Sequence, residues 1–310
     1  MESVQVVTGL AYYQMKSHKI CNKFAIGTAQ FGFVYGIANK LGQVRAEEAR
    51  DILACAKKAG INMLDTAIGY GNCESVLGNI GISGWEVISK LPAIPVDCLD
   101  IKKWVYDTVH ETLSRLNTSK ISGLLLHKPE QLIKENGSII YDALVTLKAD
   151  NLVDKIGVSI YDPYELDAIC SNYQFDVVQA PLNIIDRRLV NSGRLCNLVE
   201  QGIEVHVRSV FMQGLLLMRP DSRPSIYNRW QALWEFWQDW LEQSEITPLE
   251  ACLAYVLNQQ GIDRIIIGVD SLSQFEEVLQ AATSKITDFP QELQCEDIEL
   301  INPTLWGSIQ

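Results

Sequence analysis

No run of the chain approaches the ~18–20 consecutive apolar residues of a bilayer-spanning helix. The opening Met1-Glu-Ser-Val-Gln has neither the basic start nor the apolar stretch of a secretory signal. Basic residues are in deficit: 26 Lys and Arg against 38 Asp and Glu leave a formal charge of −12. Nucleic acid and anionic membrane surfaces want basic patches, so neither is expected as a partner. The four histidines (His18, His110, His127, His206) make no metal-ligand spacing. Cys-x-x-Cys is absent although there are eight cysteines, so buried free thiols are expected, with Cys73 singled out for its closeness to Tyr70. A Gly-x-Gly-x-x-Gly turn is missing too, which removes the mark of a doubly wound dinucleotide-binding sheet. The expectation is a reduced, soluble, cytoplasmic protein.

What is present is a globular composition, 47% hydrophobic and 21% charged over 310 residues. Eight short apolar runs read as strands: 24–29, 61–67, 86–90, 123–127, 155–159, 177–181, 204–209 and 264–269. Amphipathic segments alternate with them, including 45–59 with Gly60 as its stop, 100–116 with Asp100 as cap, and 188–201. Strands separated by helices imply parallel pairing, and eight of them fit a closed (β/α)8 TIM barrel. We expect a single α/β barrel domain over residues 1–310, with the barrel at about 24–284, a lead-in over 1–23 and a tail over 285–310. The connection between strands seven and eight is extended and carries two helices, around 230–243 and 249–259. Trp230, Trp234, Trp237 and Trp240 fall on one helical stripe there, either packed on the barrel wall or covering a cleft.

The stretch from Ile61 to Gly71 organises the chemistry. An apolar strand ends in Asp65, and Tyr70 follows between two glycines. Lys90 ends the next strand and His127 the one after. In such barrels catalytic groups sit at the carboxyl ends of strands. A phenol with an ordinary pKa near ~10 needs help to move protons at neutral pH. A nearby ammonium would pull it down, Asp65 would fix that ammonium, and His127 would orient a carbonyl. The plainer readings are a strand-end salt bridge, a core histidine and a loop aromatic.

Asp65-Thr-Ala-Ile-Gly-Tyr70-Gly, the strand-end Lys90 and Leu-Leu-Leu-His127 together resemble the aldo-keto reductase superfamily, with similarity from about Phe24 to Ala282. The resemblance implies hydride transfer between NADP(H) or NAD(H) and an aldehyde or ketone. Tyr70 would be the general acid, Lys90 and Asp65 its tuners, and His127 the carbonyl orienter. Ser159 and Gln179 would hold the nicotinamide carboxamide. The remaining cofactor contacts would come from Gly27, Thr28, Asp65, Arg208, Ser209, Phe211, Gly214, Gly268, Asp270, Ser271 and Gln274. The chain departs from the family pattern at Ile160, where Asn is usual, at Arg208, where a stacking aromatic is usual, and along Ser209-Val-Phe-Met212. Near Asp270 the Lys or Arg expected for the 2′-phosphate of NADP is missing, which opens NAD(H) as the cofactor. Arg219, Arg223 and Arg229 suggest a sugar or activated sugar as the substrate. A redox-neutral lyase or epimerase on the same four residues is the alternative, followed by a non-catalytic regulatory subunit. Monomer and small homo-oligomer are both open.

Overall fold

Side chains on a strand alternate between its two faces, which in a closed barrel means inside and outside. The computed structural model describes residues 21–308. Its strands are β1 (Phe24–Gly27), β2 (Met63–Asp65), β3 (Glu86–Leu91), β4 (Ile121–Leu126), β5 (Val153–Ser159), β6 (Val177–Pro181), β7 (Glu204–Arg208) and β8 (Arg264–Gly268). They pair in that order, all parallel, and β8 closes on β1. The architecture is the (β/α)8 barrel expected. The helices Gln231–Gln243 and Pro248–Leu257 lie between β7 and β8. The lead-in expected before β1 falls almost wholly outside the described residues.

The alternation sorts the apolar residues into two groups. Phe24, Ile26, Leu64, Leu124, Leu126, Val178 and Ile267 face outward and pack with the helices in the large core. Ala25, Met63, Ile88, Leu125, Val177 and Ile266 form a separate small cluster that fills the barrel. Each fully buried Leu or Ile contributes about 1.5–3 kcal/mol by leaving water. Two residues beyond those six inward positions stand Gly27, Asp65, Lys90, His127, Gln179 and Gly268. The same period of two therefore sets a mainly polar layer directly above an apolar floor, at the carboxyl end of the barrel.

Three local expectations resolve at this level. Asp100 caps the helix Ile101–Leu116, its carboxylate accepting from the Lys103 N–H at 3.0 Å. The single helix expected over 188–201 is instead two, Arg188–Asn191 and Arg194–Glu200. Gly193 between them adopts φ +75°, a left-handed turn that an unbroken helix does not contain. The tryptophan stripe packs inward: Trp234 and Trp237 are buried in the large core, and Trp240 meets Phe289. None of the four tryptophans lines the main cleft. The tail folds back on the barrel. Arg187 donates to the Pro290 carbonyl at 2.7 Å, the Cys295 N–H to Ile185 at 3.0 Å, and Trp230 to Asp297 at 2.9 Å.

The loop that carries Tyr70 is fixed by close backbone approach. A Cβ on Gly32 would collide with the Tyr70 carbonyl, and one on Gly71 (φ +56°) with the Gly32 carbonyl. Just beyond, in the helix Cys73–Ile80, buried Glu74 is held by Ser89 at 2.9 Å and Arg115 at 2.8 Å. Gly32→Ala should therefore lower stability by about 2–3 kcal/mol, as overpacking at an unyielding backbone does. A urea midpoint unchanged by the substitution would contradict this packing.

Candidate active site

Lys90 has no solvent exposure, and its ammonium donates to Asp65 Oδ1 at 2.6 Å and to the Thr66 carbonyl at 2.9 Å. The second Asp65 oxygen accepts from Gln179 Nε2 at 2.7 Å. Gln179 Oε1 in turn accepts from Ser159 Oγ at 3.2 Å. A hydrogen-bonded chain from Ser159 through Gln179 and Asp65 to Lys90 thus crosses the mouth of the barrel. Such closure matters, because a buried ion pair costs several kcal/mol in desolvation unless further hydrogen bonds satisfy both partners.

Tyr70 stands above this pair. The Lys90 ammonium lies 5.2 Å from the centre of its ring, and His127 meets the ring edge-on with centroids 6.1 Å apart. Phe33 closes another side at 6.0 Å. The sequence suggested that Lys90 would pull the phenol's pKa down. Burial instead dominates and pushes it up, the Asp65 charge adds to that, and Arg208 is the cation that opposes it. The physical reason is that the Lys90 charge is already spent on Asp65, and burial pushes the ammonium's own pKa down. His127 is driven down to about 4, first by burial and then by Lys90 and Arg208, so its imidazole is neutral at pH 7.

These groups open onto a cleft of about 340 Å³. Gly27, Thr28, Asp65, Tyr70, His127, Arg208, Ser209, Phe211, Gly214, Gly268, Asp270 and Gln274 all line it. Four expected site residues do not. Lys90, Ser159 and Gln179 are fully buried and committed to the chain just described. Ser271 caps the helix Leu272–Ala281 through the Gln274 N–H at 3.2 Å. Cys73 is not in the cleft either: its thiol is buried against Thr28 at 3.1 Å and Thr66 at 3.4 Å. Among the arginines read as substrate contacts, Arg219 is exposed beside Asp221, Arg223 stacks on Trp234, and Arg229 pairs with Glu299. None of these three lines the cleft.

Glu277 also lines the cleft, as do Tyr35, Asn39 and Tyr161, which were not anticipated. Asn39 is a knot for its loop. Its amide donates to the Tyr35 and Gly42 carbonyls at 3.1 and 3.0 Å and to Asp270 at 3.1 Å, while Oδ1 accepts from the Leu41 and Gly42 N–H groups. The only legible sign was a glycine-rich loop with an Asn in it. The loop after β7 is unusual in its backbone: Ser209, Met212 and Gln213 have φ of +62°, +47° and +54°. Non-glycine residues in that region cost about 1–3 kcal/mol each and collect at functional sites. This loop meets the β1 loop, the Ala38 N–H donating to the Gln213 carbonyl at 3.5 Å.

The model of the aldo/keto reductase family matches residues 23–292. The chain belongs to that family. It resembles the NADH-specific methylglyoxal reductase of Escherichia coli (strain K12), with 23% identity over 299 residues, covering 81% of this chain and 87% of the relative. The uncharacterized oxidoreductase YqkF of Bacillus subtilis (strain 168) is 24% identical over 269 residues, covering 77% and 83%. In fold, the holo form of the aldo-keto reductase AKR11C1 from Bacillus halodurans superposes with a TM-score of 0.69 at 19% identity, covering 87% of this chain and 90% of that one. The protein is accordingly an NAD(P)H-dependent oxidoreductase.

Aldo/keto reductases use nicotinamide cofactors, and the cleft is the cavity described above. Tyr70 and His127 line it together with two carboxylates, Asp270 just before the helix Leu272–Ala281 and Glu277 within it. The first donors of that helix are already taken, the Leu272 N–H by Glu48 at 2.6 Å and the Gln274 N–H by Ser271. Among the described lining residues there is no lysine, and Arg208 is the one arginine.

A depressed imidazole pKa makes stability depend on pH. The unfolded histidine titrates near 6.5, while His127 titrates near 4 in the fold. Between those values the unfolded chain holds the extra proton, so stability rises with pH and is lost as pH falls from about 6.5 towards 4. His127→Asn should remove up to about 2 kcal/mol of this pH dependence, read from urea midpoints at pH 7 and pH 5. Parallel wild-type and variant curves would contradict the assignment.

Proposed function

We propose that this chain reduces an aldehyde or ketone with NAD(H), using Tyr70 as the acid. The observation that carries the proposal is the grouping of Tyr70, His127 and the buried Lys90–Asp65 pair at one end of the cleft. Bound there, a nicotinamide would supply the hydride for the carbonyl carbon. Tyr70, neutral because it is buried, holds a proton on its hydroxyl oxygen for the carbonyl oxygen. Neutral His127 orients that oxygen as negative charge gathers on it. Lys90 and Asp65 hold a fixed dipole beneath the phenol, and the proton Tyr70 gives up is replaced from solvent. Carbonyl, reduced dinucleotide and one proton thereby become alcohol and oxidised dinucleotide.

The preference for NAD(H) is argued from charge. A 2′-phosphate beside Asp270 and Glu277 would meet two carboxylates and, among the described lining residues, no lysine, whereas a free ribose hydroxyl can donate to them. The Escherichia coli relative's name as an NADH-specific reductase agrees in direction. Asp270 is also bonded to Asn39, so Asn39 positions it for that role. By contrast, a sugar or activated sugar as the substrate loses its footing, since Arg219, Arg223 and Arg229 are engaged away from the cleft.

Two measurements test this reading. Tyr70→Phe should lower kcat for aldehyde reduction by about 10²–10⁴-fold, and undiminished reduction would refute the acid assignment. Titration by tryptophan fluorescence should show NADH binding at least about tenfold more tightly than NADPH, with Asp270→Ala narrowing the gap. Binding of neither dinucleotide to the folded protein would instead favour the redox-neutral alternative.

A further inference from the structure

The charges at the chemical end of the cleft do not balance, and Arg208 is the reason. It ends β7, two residues beyond the inward-facing His206, and its guanidinium lines the cleft with Tyr70, His127 and Tyr161. Its Nη2 donates to the Ile160 carbonyl at 2.9 Å and its Nη1 to Ser209 Oγ at 3.2 Å. One face of the group lies on the Tyr161 ring, 4.1 Å from its centre. Tyr161 is itself braced from below. Its carbonyl accepts from Arg188 Nη2 at 3.1 Å, Asp186 grips that arginine at 2.9 Å, and the Tyr161 N–H reaches Glu165 at 3.3 Å. Stacking and two hydrogen bonds leave Arg208 little freedom.

What this built site lacks is an anion. Lys90 has Asp65 and Arg188 has Asp186, but no carboxylate among the described residues lies within ion-pair distance of Arg208. Asp65 is spent on Lys90 and Gln179, and Asp270 accepts from Asn39. Two of the five guanidinium N–H groups are engaged, and the fork suits the two oxygens of a carboxylate. A half-buried cation held in place without a partner is costly unless a ligand completes it.

We propose that Arg208 anchors a carboxylate on the substrate, so that the enzyme's preferred substrates are small aldehydes or ketones bearing an acid group. The inference rests on the carbonyl-reductase reading and deepens it. It assigns the anion to the substrate rather than to the cofactor pyrophosphate because Arg208 sits at the end that holds Tyr70 and His127. Its positive charge is felt by both, lowering the pKa of each.

The test compares 4-oxobutanoate with its methyl ester, the same aldehyde with and without the charge, using NADH and the full chain. Wild type should favour the acid in kcat/KM by about tenfold or more, mainly through KM. In Arg208→Gln that ratio should fall towards one, and Arg208→Lys should restore part of it. Equal use of acid and ester by wild type would overturn the proposal. So would an Arg208→Gln variant that keeps the ratio while its NADH Kd rises, since Arg208 would then be holding the cofactor. Succinate, which cannot be reduced, separates this question from turnover. Calorimetric binding of succinate to the NADH complex of wild type but not of Arg208→Gln supports the anchor even if neither aldehyde is consumed. Equal succinate binding by both proteins overturns it.

Discussion

The ion pair between Lys90 and Asp65 is the constraint around which the upper barrel is built. Neither partner can be left alone in a water-free interior, because removing one strands a charge at a cost of about 3–5 kcal/mol. The pair is therefore surrounded by groups that complete it: the Thr66 carbonyl on the ammonium, Gln179 on the carboxylate, and Ser159 behind Gln179. Those groups come from β2, β3, β5 and β6 and from the turn after β2. Strand packing and site electrostatics are thus one problem. The pair also spends the positive charge of Lys90, which leaves Arg208 as the cation that bears most directly on the Tyr70 phenol.

Position above the floor follows from geometry alone. Because strand side chains alternate with period two, a polar residue two places beyond an inward apolar one must also point inward. Met63 and Asp65, Ile88 and Lys90, Leu125 and His127, and Val177 and Gln179 are four instances on four strands. An apolar layer of six side chains below keeps water from reaching the pair from the amino-terminal end.

What was legible in the sequence follows from the same rule. Strand interiors of Val, Ile and Leu, and the ionisable residues that end them, are local signals, so all eight strands and the clustering of Asp65, Tyr70, Lys90 and His127 could be read. Glycine hid the break at Gly193, because the apolar periodicity continues across it and a φ of +75° leaves no mark in composition. The interior role of Ser159 and Gln179 was not visible either, since a polar residue at a strand end reads the same whether it faces a ligand or a neighbour's carboxylate. Tyr161, Tyr35 and Asn39 are placed by contacts between loops distant in the chain, such as Asn39 with Asp270 and Tyr161 with Arg208. Pairings of that kind depend on the closed barrel and not on any local pattern. The arginines from 219 to 229 misled for the converse reason: a cation in a long loop does not reveal which surface the loop lies on.

The lone guanidinium in the cleft belongs to a molecule whose formal charge is −12. That net charge repels an approaching anion such as a dinucleotide, and physiological salt, with a screening length of ~8 Å, damps the repulsion at longer range. In the cleft Arg208 carries the opposite sign. Encounter and capture are thus governed by opposite charges, so added salt eases the approach while weakening the final grip.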